Sequence, residues 1–254
     1  MIKEYAMERY ANGETGNNNY PKPTFDEFKT KPVFKKTIQL DSIESLPEGH
    51  FAKTYVEGRK IPNQFHSELF FAKDFKSFIE SMGVEKDGLK TDDSRLIIPF
   101  YDKDKNLTAC QGRALGESKI RYITIKLDED ADKLYGLDRV DWTKTVYVME
   151  GPIDSMFIEN SIATADSNLM AVGKPDNVVL VYDNEPRNKD IVKNIQKAIE
   201  NNFSVCLWPE SIEYKDINDM VLAGISLGEI KQVIDTHTFS GLRANLEFSS
   251  WKKI

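Results

Sequence analysis

Three short apolar runs in the second half of the chain each lead into carboxylates. Val146-Tyr147-Val148-Met149 leads into Glu150, with Asp154 four residues on. Val178-Val179-Leu180-Val181-Tyr182 leads into Asp183-Asn184-Glu185, and Phe203-Ser204-Val205-Cys206-Leu207-Trp208 leads to a loop with Lys215, Asp216 and Asp219. A single acid after a strand is ordinarily a helix cap or a solvated loop residue. Three in succession are different, because carboxylates brought to one place repel each other unless cations hold them. An all-oxygen set of this kind suits Mg²⁺ or Mn²⁺, which keep several waters and share substrate phosphates.

The elements that must position these acids follow from the same stretches. Gly151 permits a tight turn and Pro152 fits the first position of a helix. Ile153, Met156 and Phe157 then recur at helical spacing, as do Ile191, Ile195, Ala198 and Ile199 after Asp183. Strand, helix, strand in this order predicts right-handed crossovers and a mainly parallel sheet whose carboxyl ends share one edge. Ser226-Leu227-Gly228-Glu229 is a capping box that opens a further helix through Ile234.

The region before this module is of mixed type. Pro47–Arg59 and Phe70–Met82 read as helices, Phe71, Phe75 and Phe78 being core aromatics. Arg95–Phe100 and Leu107–Gln111 read as a hairpin about an Asp-Lys-Asp-Lys-Asn turn, and Lys119–Lys126 reads as a strand. Arg95, Arg113, Lys119, Arg121 and Lys126 concentrate positive charge just ahead of the acids. Each alone reads as a surface charge, but together, beside a metal site, they suit phosphates.

Four segments result: a helix and linker over 1–32, an α+β subdomain over 33–142, an α/β domain over 143–235, and a tail over 236–254. The helix at 2–10 and the Gly-, Asn- and Pro-rich stretch at 12–23 read either as the end of a missing module or as a frayed terminus. The tail carries Trp251, Lys252 and Lys253 and reads either as a docking segment or as packed against the body; His237 reads as a surface or interface residue and not a ligand.

Composition narrows the function classes. The 254 residues are 40% hydrophobic, ample for a core, and contain no long apolar run or secretory signal. No membrane association is expected. Two cysteines, Cys110 and Cys206, and three scattered histidines make no zinc site, so no zinc is expected in this chain. Buried, reduced thiols fit an intracellular protein. A formal net charge of −7 argues against coating nucleic acid by bulk electrostatics, but leaves room for a local basic channel.

The ordered acidic series (strand–Glu-Gly…Asp, strand–Asp-x-acid, Lys-Asp-x-x-Asp) resembles the Toprim domain. The preceding Arg95-Leu-Ile-Ile-Pro-Phe, Gln111-Gly-Arg-Ala-Leu and Arg121-Tyr-Ile, with Lys133-Leu-Tyr-Gly-Leu, resemble the nucleotide- and DNA-binding part of bacterial-type DNA primases. The resemblance spans about 95–224; residues 43–82 are similar to the matching part of tailed-phage primases.

It implies RNA primer synthesis on single-stranded DNA from NTPs, in the cytoplasm of a phage-infected bacterium. Glu150, Asp183 and Glu185 would be catalytic, and with Asp216 and Asp219 would hold the divalent ions. Arg113, Lys119, Arg121 and Tyr122, together with Arg95 and Lys215, would contact triphosphate or template. Gly151 and Asp154 would support Glu150. Two ions roughly 3.5–4 Å apart can activate a 3′-hydroxyl and stabilise the leaving pyrophosphate.

The pattern departs from that family in two places. Asp183-Asn184-Glu185 stands where Asp-x-Asp is usual, and the Cys/His zinc module is absent; it is lost, trimmed or separately encoded, and in the last case a separate zinc-binding module is a partner. A replicative helicase would dock on the tail. A Toprim-type nuclease, using the same acids to activate water, and a non-catalytic replication scaffold are the competing readings. The basic strand segment favours polymerisation over hydrolysis, and retention of all three acidic ends counts against a scaffold. Nothing suggests the large extra domains of a topoisomerase.

Overall fold

The computed structural model describes residues 37–173 and 176–254; the helix and linker expected before residue 24 lie outside them. The described chain carries two sheets. The first is antiparallel throughout, in the order β1-β2-β3-β4: β1 Phe70–Ala72, β2 Arg95–Tyr101, β3 Leu107–Ala114 and β4 Tyr122–Lys126. Its hairpin turns where expected, because the Asp102 carboxylate accepts from the backbone N–H of Asp104 and of Asn106, both at 2.8 Å. An aspartate that satisfies the backbone of its own turn replaces the ladder bonds lost there.

The second sheet has the order β6-β5-β7-β8-β9. Here β5 is Val146–Met149, β6 Ser161–Ala163, β7 Val178–Val181, β8 Ser204–Cys206 and β9 Thr238–Phe239. The pairs β5·β6, β5·β7 and β7·β8 are parallel, and β9 closes the edge antiparallel to β8. The chain steps from β5 outward to β6, then returns to the other side of β5 for β7. That reversal of direction leaves a crevice at the carboxyl ends of β5 and β7, the place where open α/β sheets bind ligands.

Seven α-helices are described: α1 Phe51–Gly58, α2 Phe75–Ser81, α3 Pro152–Ser155, α4 Lys189–Glu200, α5 Ile217–Leu222, α6 Leu227–Thr236 and α7 Gly241–Trp251. The predicted capping box opens α6: Ser226 Oγ accepts from Glu229 N–H, and the Glu229 carboxylate accepts from Ser226 N–H.

The core follows the alternation along the strands. Val146, Val148 and Leu180 face α4 and α7, meeting Ile195, Ile199, Phe248 and Trp251. Tyr147, Met149 and Val181 face the other way and join Ile98, Phe100 and Ala109 of the first sheet. One apolar layer therefore fastens the two sheets together, and the described residues form a single unit. The outer face of the first sheet is covered by α2 through Phe75, Phe78 and Ile79.

Two expectations are corrected. Phe70–Met82 is not one helix: Phe70–Ala72 pairs with β2, and Asp74 caps α2 by accepting from Ser77 N–H at 2.9 Å. The strand expected from Lys119 begins only at Tyr122, because the Arg95 guanidinium takes up the carbonyls of Ile120 and Arg121. Residues 236–254 pack against the body: Leu207 N–H donates to His237 O, β9 pairs with β8, and Phe248 and Trp251 are buried. Removing residues 238–254 is accordingly expected to destabilise the second sheet. Phe248→Ala alone is expected to cost about 3–5 kcal/mol in a urea titration. A truncated chain that melts like its parent would show α7 to be dispensable.

Candidate functional site

Glu150 leaves β5 at the switch-point crevice, and the chain turns at once. Gly151 lets the Asp154 carboxylate come close: a Cβ there would sit 2.9 Å from Asp154 Oδ2 and would push the Asp154 side chain aside. Pro152 then starts α3, which carries Asp154 back beside Glu150. On the neighbouring strand Asp183 follows Tyr182, whose carbonyl accepts from Trp208 Nε1 at 2.8 Å and so ties β7 to the end of β8. Asp216 is the N-cap of α5 and accepts from Asp219 N–H at 2.8 Å.

Glu150, Asp154, Asp183 and Asp216 line one small pocket with Met149, Tyr182 and Trp208. The acidic ends of three strand-loop units thus share one face of the molecule. Three of the four carboxylates spend an oxygen on the backbone. Glu150 Oε1 accepts from Asp183 N–H at 3.3 Å, Asp154 Oδ1 from Asn218 N–H at 2.9 Å, and Asp216 Oδ1 from Asp219 N–H. The acids are gathered but not converged: among the described residues no group of three or more His, Cys, Asp or Glu side chains is already disposed to hold an ion.

Glu185 stands at the mouth, outside this pocket. Lys215 Nζ lies 3.2 Å from Glu185 Oε2 and 3.7 Å from Asp183 Oδ2, a cation where the acids most need one. Asp219 lies on the first turn of α5 and does not line the pocket. Asn184, the middle residue of Asp183-Asn184-Glu185, serves the scaffold: its Nδ2 donates to Ile212 O at 2.7 Å and Tyr214 O at 3.2 Å. With Asn184 N–H on Lys215 O at 2.7 Å, this binds the Asp183 loop to the Asp216 loop.

Electrostatics follow from crowding. Burial, then the Asp183 charge, pushes Glu150 up to about 7. Burial, then Asp216, pushes Asp154 up to about 8. Burial raises Asp183 to about 6 in spite of Lys215, with Asp216 and Glu185 adding to the rise. Asp216 is also raised, first by burial, while Arg59 and Lys215 hold it down.

The basic side of the site comes from the first sheet and α1. Arg113 is buried, its Nε donates to Tyr55 Oη at 2.9 Å, and its guanidinium lies 4.5 Å from the centroid of Tyr122, its partner across the β3·β4 ladder. Its Nη1 has no hydrogen-bond partner. Arg59, which the sequence reading did not single out, stacks over Tyr55 at 5.6 Å and donates to Asn218 Oδ1 at 2.6 Å. Asn218 in turn donates to Asp154, so one residue joins the arginine side to the acids. The signal was present only in three dimensions, since Arg59 and Asn218 lie 159 positions apart. Lys119 and Arg121 are exposed and make no ion pair among the described residues.

Arg95 does not belong to this face. It is 1% exposed, its Nε pairs with Asp93 at 2.8 Å, and its Nη atoms donate to the carbonyls of Gly112 and Ile120 at 2.9 and 3.1 Å. Gly112 is what lets it pass, since a Cβ there would lie 2.8 Å from Arg95 Cδ and 2.7 Å from the Phe75 ring. With all three of its nitrogens hydrogen-bonded, Arg95 shapes the β2–β3–β4 edge.

A carboxylate-lined crevice in a parallel sheet, set against arginine and tyrosine from an antiparallel one, defines an enzyme class that handles phosphates. No family model matches the chain. The DNA primase of Enterobacteria phage T4 is 32% identical over 260 residues, covering 100% of this chain and 75% of that protein. Among solved structures, the E. coli primase catalytic core superposes with a TM-score of 0.58 at 18% identity, over 82% of this chain and 80% of its own. A DnaG primase catalytic domain bound to ssDNA gives 0.56 at 17%, over 82% and 80%. The Aquifex aeolicus primase, with zinc-binding and RNA polymerase domains, gives 0.56 at 18%, over 83% of this chain and 65% of its own. At such identities the structures speak to the fold: mixed α/β, as expected. The chain belongs to the DNA primase family and is a primer-synthesising nucleotidyltransferase. No helix among the described residues is long and apolar enough to cross a membrane.

The raised carboxyls make a prediction about stability. A carboxyl ordinarily titrates at about 4, so between about pH 4 and the folded values the folded chain binds more protons than the unfolded one. The contribution of Glu150, Asp154 and Asp183 is therefore present below that window and is lost as pH rises through about 6, 7 and 8 in turn. In EDTA the melting temperature should fall across this range, and fall less for Asp154→Asn. A variant profile identical to the parent's would contradict the assignment.

Proposed function

We propose that the chain makes short RNA primers on a single-stranded DNA template from ribonucleoside triphosphates, with Mg²⁺ or Mn²⁺ held by Glu150, Asp183 and Asp216. Glu185 and Asp219 complete the set from the mouth and from α5. The observation that carries this reading is the gathering of Glu150, Asp154, Asp183 and Asp216 at the switch point, beside Arg113, Tyr122 and Arg59. The donor set fits the ions: all of it is oxygen, and burial, with the neighbouring carboxylate charges adding to it, raises the pKa values of the acids. Bound there, divalent ions stabilise charge on the attacking and leaving oxygens.

The remaining roles fall to the chain's own groups. Arg113 keeps one N–H unpaired for a phosphate oxygen, and Tyr55 and Tyr122 hold its plane fixed, which limits the entropy lost on binding. Arg59 sits across Asn218 from Asp154 and is proposed as a second triphosphate contact. Lys119 and Arg121 suit template phosphates. Lys215, half exposed on a flexible stem, is proposed to leave Asp183 and Glu185 for the triphosphate when cations load. A carboxyl near 7 also suits proton acceptance, so Glu150 serves the 3′-hydroxyl as ligand or base. The ssDNA-bound DnaG domain supports the template assignment, and the Aquifex chain supports a zinc-binding module as partner. Residues 33–142 and 143–254 are proposed as the two working subdomains, one holding nucleotide and template, the other the ions.

The test is a primer-synthesis assay on single-stranded DNA with NTPs and Mg²⁺ or Mn²⁺. Glu150→Gln and Asp183→Asn should each reduce product at least about a hundredfold while the circular dichroism spectrum is unchanged. Arg113→Lys, which keeps the charge but loses the fork, should chiefly raise the KM for NTP. DNA shortening that needs no NTP would replace the polymerase reading by the nuclease one.

A further inference from the structure

Asn218, 2% exposed, sits where α1 meets α5. It lies on the first turn of α5, two residues after the Asp216 N-cap. Its N–H is therefore free of the helix ladder, and it donates to Asp154 Oδ1 at 2.9 Å. The side chain grips a single residue twice: Oδ1 accepts from Arg59 Nη1 at 2.6 Å, and Nδ2 donates to Arg59 O at 2.8 Å. Arg59 is the C-cap of α1, where the last carbonyls have no partner inside the helix. Its two partners fix the amide, since a guanidinium only donates and a carbonyl only accepts, so neither bond survives a flip.

The clasp has a second point. Lys60 Nζ donates to Val221 O at 3.1 Å, on the last turn of α5. Arg59 and Lys60 thus hold α5 at both ends, and α5 carries Asp216 at its cap. On the other side of Arg59, the Tyr55 ring centroid lies 5.6 Å from its guanidinium and 5.8 Å from that of Arg113, while Tyr55 Oη accepts from Arg113 Nε. One ring therefore sets both arginines, and Asn218 sets one of them again.

The residue type matters. A neutral amide between Arg59 and Asp154 orients both without cancelling either charge. Aspartate would have no donor for the Arg59 carbonyl and would add a charge beside Asp154, and leucine, of similar size, has neither donor nor acceptor.

We propose that Asn218 is a positioning residue that sets the triphosphate side and the ion side of the site as one unit, acting through Arg59 on the first and through Asp154 and the Asp216 turn on the second. The proposal rests on primer synthesis as the function and adds to it a residue that touches neither substrate nor ion.

Two measurements on the whole chain test it. Mn²⁺ binding without NTP, read from the electron paramagnetic resonance signal of the free ion, should weaken about tenfold in Asn218→Ala, which alters no charge. In primer synthesis at saturating Mn²⁺, Asn218→Ala and Arg59→Met should each raise the KM for NTP about tenfold, and the double variant should be no worse than the poorer single one. A residue that merely supported the fold would lower the melting temperature and leave the folded chain's Mn²⁺ affinity and KM unchanged. Should Asn218→Ala fail to fold, Arg59→Lys, on a half-buried side chain, takes its place. It keeps the charge that acts on Asp216 but loses the fork, so weaker Mn²⁺ binding would reach the acids through Asn218. Unchanged Mn²⁺ affinity in these variants, KM effects that multiply, or a loss confined to kcat would each overturn the proposal. A parent chain that makes no primer would overturn the primer reading instead, and the Mn²⁺ titration then decides on Asn218 alone.

Discussion

Four carboxylates packed at the ends of neighbouring strands repel one another, and the rest of the molecule is arranged around that repulsion. Water is partly excluded from them, so their charge is screened less than on an open surface. The backbone offsets part of the cost with an N–H for each of Glu150, Asp154 and Asp216. Lys215 offsets more at the mouth. What is left raises Glu150 and Asp154 into the neutral range, and that residue of unrelieved charge is the physical basis for a cation there.

The first sheet answers the second in both packing and charge. Ile98, Phe100 and Ala109 share a core with Tyr147, Met149 and Val181, which fixes the two sheets face to face. On the same strand as Ala109, Arg113 is then carried towards the acidic crevice, and Asn218 closes the gap by holding Arg59 and Asp154 at once. Arg95 makes this possible without touching the site: buried beneath Gly112, it fastens the carbonyls that precede β4 and so places Tyr122 beside Arg113. A buried arginine whose three nitrogens are all hydrogen-bonded serves the packing of this edge.

Much of this was legible from residue order. The strands ending at Glu150, Asp183 and near Asp216, the hairpin about Asp102, and the Ser226 capping box were all predicted because each rests on a local rule that few residues state completely. The elements missed were those with no local signature. β6 and β9 have three and two residues, too few for alternation to show, and exist because β5 and β8 offer them an edge. α7 was read as a tail since Phe248 and Trp251 look like scattered aromatics until the α4 surface they cover is known. Charge was the least legible. Nothing in the sequence distinguishes Arg95, consumed by carbonyls, from Arg113, which keeps a free N–H, and Arg59 gave no signal at all.

The most direct measurement of the central claim is anomalous diffraction from crystals soaked in Mn²⁺. The account predicts anomalous density in the crevice between Glu150 and Asp183, with Lys215 turned away from both. Density found only elsewhere on the surface, with Lys215 still across Asp183 and Glu185 at saturating metal, would contradict it.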